Sequence, residues 1–425
     1  MLEKYFVRPD TVDRIQASWV GVDVERYVVW LDGQGYSARS VLRRVPLALA
    51  FGEFARAAGA GVVEDLPAHV EPFVADRVAA YRCARACGEA ETRRQVAKEV
   101  RGPIEQMLRL AIPGFTGRGR THRLVPFAEQ LPGFYDYLAA ERGVRPATIG
   151  NYQHYLSSFE SYLDRIGIAK LSELAPAILT AFVAERAASG LGKATIRDGC
   201  GVLRVFLRYA HREGAIATDL SGVLDRAQFY RLSTIPRSIT WEEVGQVLAG
   251  VDRRTPAGKR DWAIMLLLVT YGLRAREVAA LTLDDVDWKR ERLKVPERKA
   301  GHSTAFPLSA SVGEALVDYL RNGRPATDSR RVFFRAVAPV EPIGHAAVSV
   351  RARHYLLKAG IEVPRPGSHT LRHTCVQRLV DADFTLKTIG DFVGHRSARS
   401  TEIYAKVAVE PLREVALGDG EEVLS

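Results

Sequence analysis

The sequence predicts a mainly α-helical protein with one small antiparallel sheet, and three observations carry that prediction. Apolar residues recur at helical spacing through most of the 425 residues. A stretch near the N-terminus can be laid without gaps over a later one, apolar position on apolar position. Two short alternating runs within RLKVPERKAGHSTAFPL, joined by a turn containing Gly301, supply a β-hairpin.

The repeat comes first in the chain. It places Tyr27 on Tyr135, Gly35 on Gly143, Ser40 on Thr148, Phe51 on Phe159, Phe54 on Tyr162, Gly59 on Gly167, Leu66 on Leu174 and Val70 on Ile178. Each copy reads as an amphipathic helix, a short loop with a Ser or Thr cap, a second helix, a Gly break and a third helix. A fourth helix follows each copy, over about 91–110 in the first and 193–213 in the second. The Gly-rich and basic PGFTGRGRTHRLVP between the copies reads as a linker. A second boundary falls at FYRLSTIPRSITWEEV, where Pro236 interrupts the pattern and Thr240 with Glu243 forms a capping box that starts a new helix. A helix around 262–269 leads into YGLRAREVAALTLDDVD, which supplies a Gly break, another helix and a polar exit before the hairpin. Helices resume at 311–322, 345–359, 368–382 and 385–393. The expected organisation is an N-terminal helical module (1–113), a basic linker (114–124), a second helical module (125–230), a mostly helical domain with the small sheet (236–410) and a tail (411–425).

The formal net charge of +10 and a pI near 9.5 fit a polyanionic partner, most simply nucleic acid. Cys83, Cys87, Cys200 and Cys375 are scattered, and no second Cys or His pair near Cys83 and Cys87 completes a zinc site. A reduced compartment follows. The start MLEKYFVRPD lacks a basic-then-apolar signal region, and no apolar run approaches the roughly 20 residues that span a bilayer. The expectation is a cytoplasmic protein without a membrane partner.

The chemistry concentrates toward the C-terminus. YGLRAREV, RKAGHSTAFPL, SHTLRHT, DFVGHRS and STEIYAK carry, in order, Arg274, Lys299, His369, Arg372, His395 and Tyr404. Cleaving a phosphodiester with a protein hydroxyl needs a nucleophile, charge stabilisation on the non-bridging oxygens, and proton transfers at both ends. A site without metal must meet the charge with cationic side chains. Arginine suits this because its planar fork donates two hydrogen bonds to one phosphate and keeps its charge. His369 and Arg372 stand three apart, on one face of a helix. Glu277, three residues beyond Arg274, is placed to pair with it. His373 points elsewhere, Lys294 and Arg298 compete with Lys299 for its role, and Tyr404 is flanked by polar residues and followed by Lys406.

These phrases resemble the catalytic domain of the tyrosine recombinases, the family of phage integrases and Xer-type recombinases. The likeness runs from Pro236 to Val409, and 125–224 is similar to that family's helical core-binding domain, which closes over DNA as the other half of a clamp. The resemblance implies that Arg274 and Arg372 clamp the scissile phosphate and that Lys299, eight residues before Pro307, protonates the departing 5′ oxygen. His369 would manage the nucleophile's proton, His395 hydrogen-bond the phosphate, and Tyr404 form a 3′-phosphotyrosyl bond. It implies no cofactor and no metal, double-stranded DNA as partner in or near the nucleoid, and a homotetramer on two DNA sites, with other recombinases of the same element as further partners. The segment 407–417, followed by the acidic GDGEEV, matches the part that docks onto a neighbouring protomer.

Two departures stand out: His302 and Thr304 occupy hairpin positions where basic residues are common, and 1–113 precedes the usual core-binding domain as a diverged second copy. The expected activity is cutting and rejoining DNA as the integrase or transposase of a mobile element. The alternatives are a type IB topoisomerase, which shares the chemistry, and a catalytically idle DNA-binding accessory subunit.

Overall fold

The computed structural model describes residues 1–81, 89–117, 125–224, 238–296 and 303–394. By internal contacts the chain divides into two compact units, one formed by Met1–Phe115 with Thr234–Ser425 and the other by Thr116–Ser233. The N-terminal bundle thus groups with the C-terminal domain, a pairing that linear order does not suggest. No described helix is long and apolar enough to cross a membrane.

The N-terminal bundle contains α1 (Pro9–Ala17), α2 (Gly21–Gly33), α3 (Ala38–Ala57), α4 (Leu66–Ala80) and α5 (Glu89–Ala111). Its core is aromatic: Tyr27, Phe51 and Phe73 are buried, with Phe73 edge-on to both Phe51 and Phe54. The Tyr27 hydroxyl donates to Gln106 Oε1 (3.1 Å) and accepts from Arg44 Nη1 (3.2 Å), and burial pushes its pKa up to about 12. The tip of the 334–342 loop touches this bundle, where Val340 N–H donates to the Gln34 carbonyl (3.2 Å) and Ala338 packs on the core.

The other unit repeats the order. A short turn α6 (Phe134–Asp136) is followed by α7 (Pro146–Arg165), α8 (Pro176–Ala188) and α9 (Lys193–Arg212). Matched glycines do the same job in both copies: Gly35 and Gly143 have φ of +73° and +59°, Gly59 and Gly167 of +98° and +79°. Each stands just past a helix end or loop where only a residue without Cβ turns the chain cheaply. Matched Phe51 and Phe159 are fully buried. The copies differ in their first and second helices. Residues 137–141 form a π turn instead of continuing α6, and Tyr137 there lies 4.8 Å from the Tyr209 ring. The Ser or Thr cap expected before the second helix of each copy is present in the first, where the Ser37 side chain accepts from the Ser40 N–H, and absent from the second, where α7 starts on Pro146 with no side-chain cap. Proline at a first helical position has no N–H to satisfy and a fixed φ, so the second copy needs no hydroxyl there.

In the C-terminal domain, α10 (Trp241–Ala249) opens on the expected capping box: Thr240 Oγ1 accepts from Glu243 N–H (3.1 Å) and Glu243 Oε2 from Thr240 N–H (2.7 Å). Next come α11 (Pro256–Tyr271), α12 (Ala275–Ala280), α13 (Ala310–Asn322), α14 (His345–Lys358), α15 (Ser368–Asp381) and α16 (Leu386–Val393). The described strands β1 (Val286–Asp287), β2 (Arg292–Val295) and β3 (Thr304–Pro307) form one antiparallel sheet in the order β1-β2-β3. The hairpin register pairs Leu293 with Phe306, so both fall on the buried face, while Arg292 and Lys294 stay exposed. β1 has too few residues to leave an alternation in the sequence. The α11 helix is buried nearly all round and forms the axis of this domain's core.

Near the start of α11 lies a node with no signature in the sequence. The Asp261 carboxylate is 1 % exposed and accepts from Arg260 Nε (2.9 Å) and Nη2 (2.7 Å), Arg351 Nε (2.9 Å) and Tyr355 Oη (2.9 Å). It ties α11 to α14. Replacing Asp261 with Ala strands two guanidinium groups, one of them buried, and should cost on the order of 3 kcal/mol. Urea unfolding measures this; a loss under about 0.5 kcal/mol, the scale of ordinary surface changes, would show the node to be dispensable.

Candidate active site

The site assembles where three segment ends meet. The first is the end of α11, where Gly272 turns the chain with φ of +58°. A Cβ there would sit 3.3 Å from Cys375 Sγ and 3.4 Å from Val393 Cγ1, so α15 and the end of α16 press directly on this turn. Two residues on, Arg274 is the N-cap of α12. Its own N–H donates to Glu277 Oε2 (2.8 Å) and its Nη1 to Oε1 (2.7 Å), so the buried Glu277 fixes both the backbone and the side chain. The ion pair expected from the sequence is present.

The second segment is the first turn and a half of α15, which carries His369 and Arg372 on one face. Arg372 is buried; its Nη2 donates to the Val393 carbonyl (2.7 Å) and its Nη1 to the Gly272 carbonyl. The third segment is the end of α16, where Gly394 has φ of +65° and its carbonyl accepts from Arg274 Nη2 (2.9 Å). A rim of three backbone carbonyls, those of Gly272, Val393 and Gly394, therefore orients both guanidinium groups. These carbonyls are the part of the site that sequence reasoning missed. A backbone oxygen has no residue signature, though Gly272 was visible as a break.

His369 presents part of its ring to solvent. Burial of the remainder, with the Arg372 and Arg274 cations close by, lowers its pKa from the usual value. His373, one turn along, lies with its ring centroid 6.3 Å from that of His369. Of the six residues singled out in the sequence, the structure brings Arg274, His369 and Arg372 together. Lys299, His395 and Tyr404 lie outside the described residues, as do the competitor Arg298 and His302, whereas the other competitor, Lys294, stands exposed on β2. Two fixed arginines beside a mostly neutral imidazole form an electropositive surface that suits an oxyanion needing charge stabilisation without a competing general acid.

Comparison with known proteins identifies the family. The sequence profile of the phage integrase family matches residues 237–410, and that of the phage integrase N-terminal SAM-like domain matches 131–214. Over 416 residues the chain is 32% identical to y4rA of Sinorhizobium fredii, named an integrase/recombinase, covering 97% of this chain and 98% of that protein. Tyrosine recombinase XerC of Haemophilus influenzae is 25% identical over 67% of this chain and 95% of its own length. Among solved structures, a lambda integrase dimer bound to a COC′ core site matches with a TM-score of 0.51 at 21% identity, over 65% of this chain and 94% of that one, a likeness of fold. Two profiles in the right order, a relative matched from end to end and a shared fold lead to one conclusion: the chain belongs to the phage integrase family of tyrosine recombinases.

Proposed function

We propose that this recombinase cuts and rejoins double-stranded DNA at specific sites through a 3′-phosphotyrosyl intermediate, without metal or ATP. The observation that carries the reading is the anchoring of Arg274 and Arg372 on one carbonyl rim beside His369. In this reading the Tyr404 oxygen attacks the scissile phosphorus, the bond to the 5′ oxygen breaks, and the phenolic proton passes to His369. Lys299 gives a proton to the departing 5′ alkoxide. The two guanidinium groups and His395 hold the non-bridging oxygens, whose charge grows in the transition state. The new phosphotyrosyl bond keeps the energy of the one broken, so a 5′-hydroxyl of another strand reverses the step and no nucleotide cofactor is required.

Residues 125–230 would then close over the duplex opposite the catalytic domain, with four protomers on two sites and the 407–417 segment bridging neighbours. The names integrase/recombinase and lambda integrase among its relatives support the role of integrase or transposase of a mobile element, acting in the cytoplasm on the nucleoid. The test is a nicked suicide duplex carrying the cognate site. The protein should become attached to DNA in denaturing gels at the same rate with and without EDTA, and inhibition by the chelator would sink the metal-free mechanism.

The environment of His369 sets a pH dependence. Burial and the two cations disfavour its imidazolium, so the neutral form persists below the ordinary value near 6.5. Cleavage that needs a proton acceptor at His369 should therefore fall to half its plateau only at a pH below 6.5. His369→Gln should lower the rate and flatten that acid limb; a limb of unchanged position in this variant would assign it to another group.

A further inference from the structure

The hairpin strand β3 reaches the arginine pair through an aromatic ring that neither the sequence nor the family comparison singles out. Phe306, 2 % exposed, packs against two rings, tilted at 5.1 Å from Tyr271 and edge-on at 5.1 Å from Phe392. Tyr271 directly precedes Gly272, whose carbonyl accepts from Arg372. Phe392 directly precedes Val393 and Gly394, whose carbonyls accept from Arg372 and Arg274. The Tyr271 hydroxyl donates to the Pro307 carbonyl (2.9 Å) and accepts from Ser309 N–H (2.9 Å), which latches the end of β3 to the end of α11.

We propose that Phe306 is a positioning residue whose ring, wedged between Tyr271 and Phe392, sets the separation of the two backbone turns that hold Arg274 and Arg372. The wedge rests on the reading that these arginines neutralise the scissile phosphate. Close-packed interiors transmit a change of side-chain volume to neighbouring backbone instead of absorbing it. A shift of about 1 Å in a catalytic group is enough to cost on the order of a hundredfold in rate. The β-hairpin is thereby part of the arginine machinery.

The experiment compares Phe306→Leu, Tyr271→Phe and Arg372→Ala on two suicide duplexes, one with the natural scissile phosphate and one with a methylphosphonate there. The methylphosphonate has lost a non-bridging charge and no longer needs two cations. On the natural phosphate, Phe306→Leu should lower the single-turnover cleavage rate about tenfold to a hundredfold with DNA affinity unchanged, and Tyr271→Phe should lower it less. On the methylphosphonate both deficits should shrink to within a factor of about two, the behaviour expected of Arg372→Ala if the clamp reading holds. An equal loss by Phe306→Leu on both substrates, with Arg372→Ala relieved, would overturn the wedge and leave the clamp standing. Absence of relief for Arg372→Ala would overturn the clamp and the wedge with it. Should Phe306→Leu fail to fold, Phe306→Met, which conserves most of the side-chain volume but loses the planar ring, is put through the same comparison and decides between the same outcomes.

Discussion

Tyr404→Phe should give no covalent protein–DNA adduct on a suicide duplex while binding that duplex as tightly as the unsubstituted protein. The change removes a single oxygen, the atom that forms the bond to phosphorus in the proposed mechanism, and leaves the ring. Loss of a nucleophile in enzymes that act through a covalent intermediate costs on the order of 10⁶ in rate, so even long incubations should show nothing above background. An adduct that survives denaturation in Tyr404→Phe would move the nucleophile elsewhere, and peptide mapping of that adduct would identify it.

Arg372→Ala is expected to fail in two ways at once. The transition state loses a bidentate cation, worth about 2.7–4 kcal/mol or a factor of 10²–10³ by analogy with single oxyanion donors. The folded protein also loses the donor that satisfies the Gly272 and Val393 carbonyls, and a buried acceptor left unpaired costs about 1–3 kcal/mol. Arg274, whose side chain is 22% exposed and paired with Glu277, should show the same catalytic loss on alanine substitution with a smaller drop in stability. Arg372→Lys separates the two effects, since it keeps the charge but not the fork that spans two carbonyls. Single-turnover cleavage at saturating DNA, read beside thermal unfolding, measures both. A variant of Arg372 that loses stability but keeps its cleavage rate would reduce this residue to a structural brace.

Much of the architecture was legible because its causes are local. Amphipathic spacing marks the paired helices α3 and α7, and the Thr240–Glu243 box acts within one turn. Gly35, Gly143, Gly59 and Gly167 stand where backbone sterics exclude other residues. Where the sequence misled, a competing local device had taken over, as when Pro146 started α7 without the Ser or Thr cap expected there. The pairing of His369 with Arg372 on one face also follows from helical geometry alone.

The amino-acid sequence by itself determined the fold class, the repeat, the hairpin and the ordered set of chemically able side chains. It did so because period, capping and residue type are properties of short stretches. Only the tertiary structure decided which of those side chains share a surface, and what holds them there. The carbonyl rim of Gly272, Val393 and Gly394, the Phe306 wedge and the Asp261 node join residues as far as 120 positions apart. Contacts of that separation are set by packing and by the need to satisfy buried polar groups, and these leave no periodic trace along the chain.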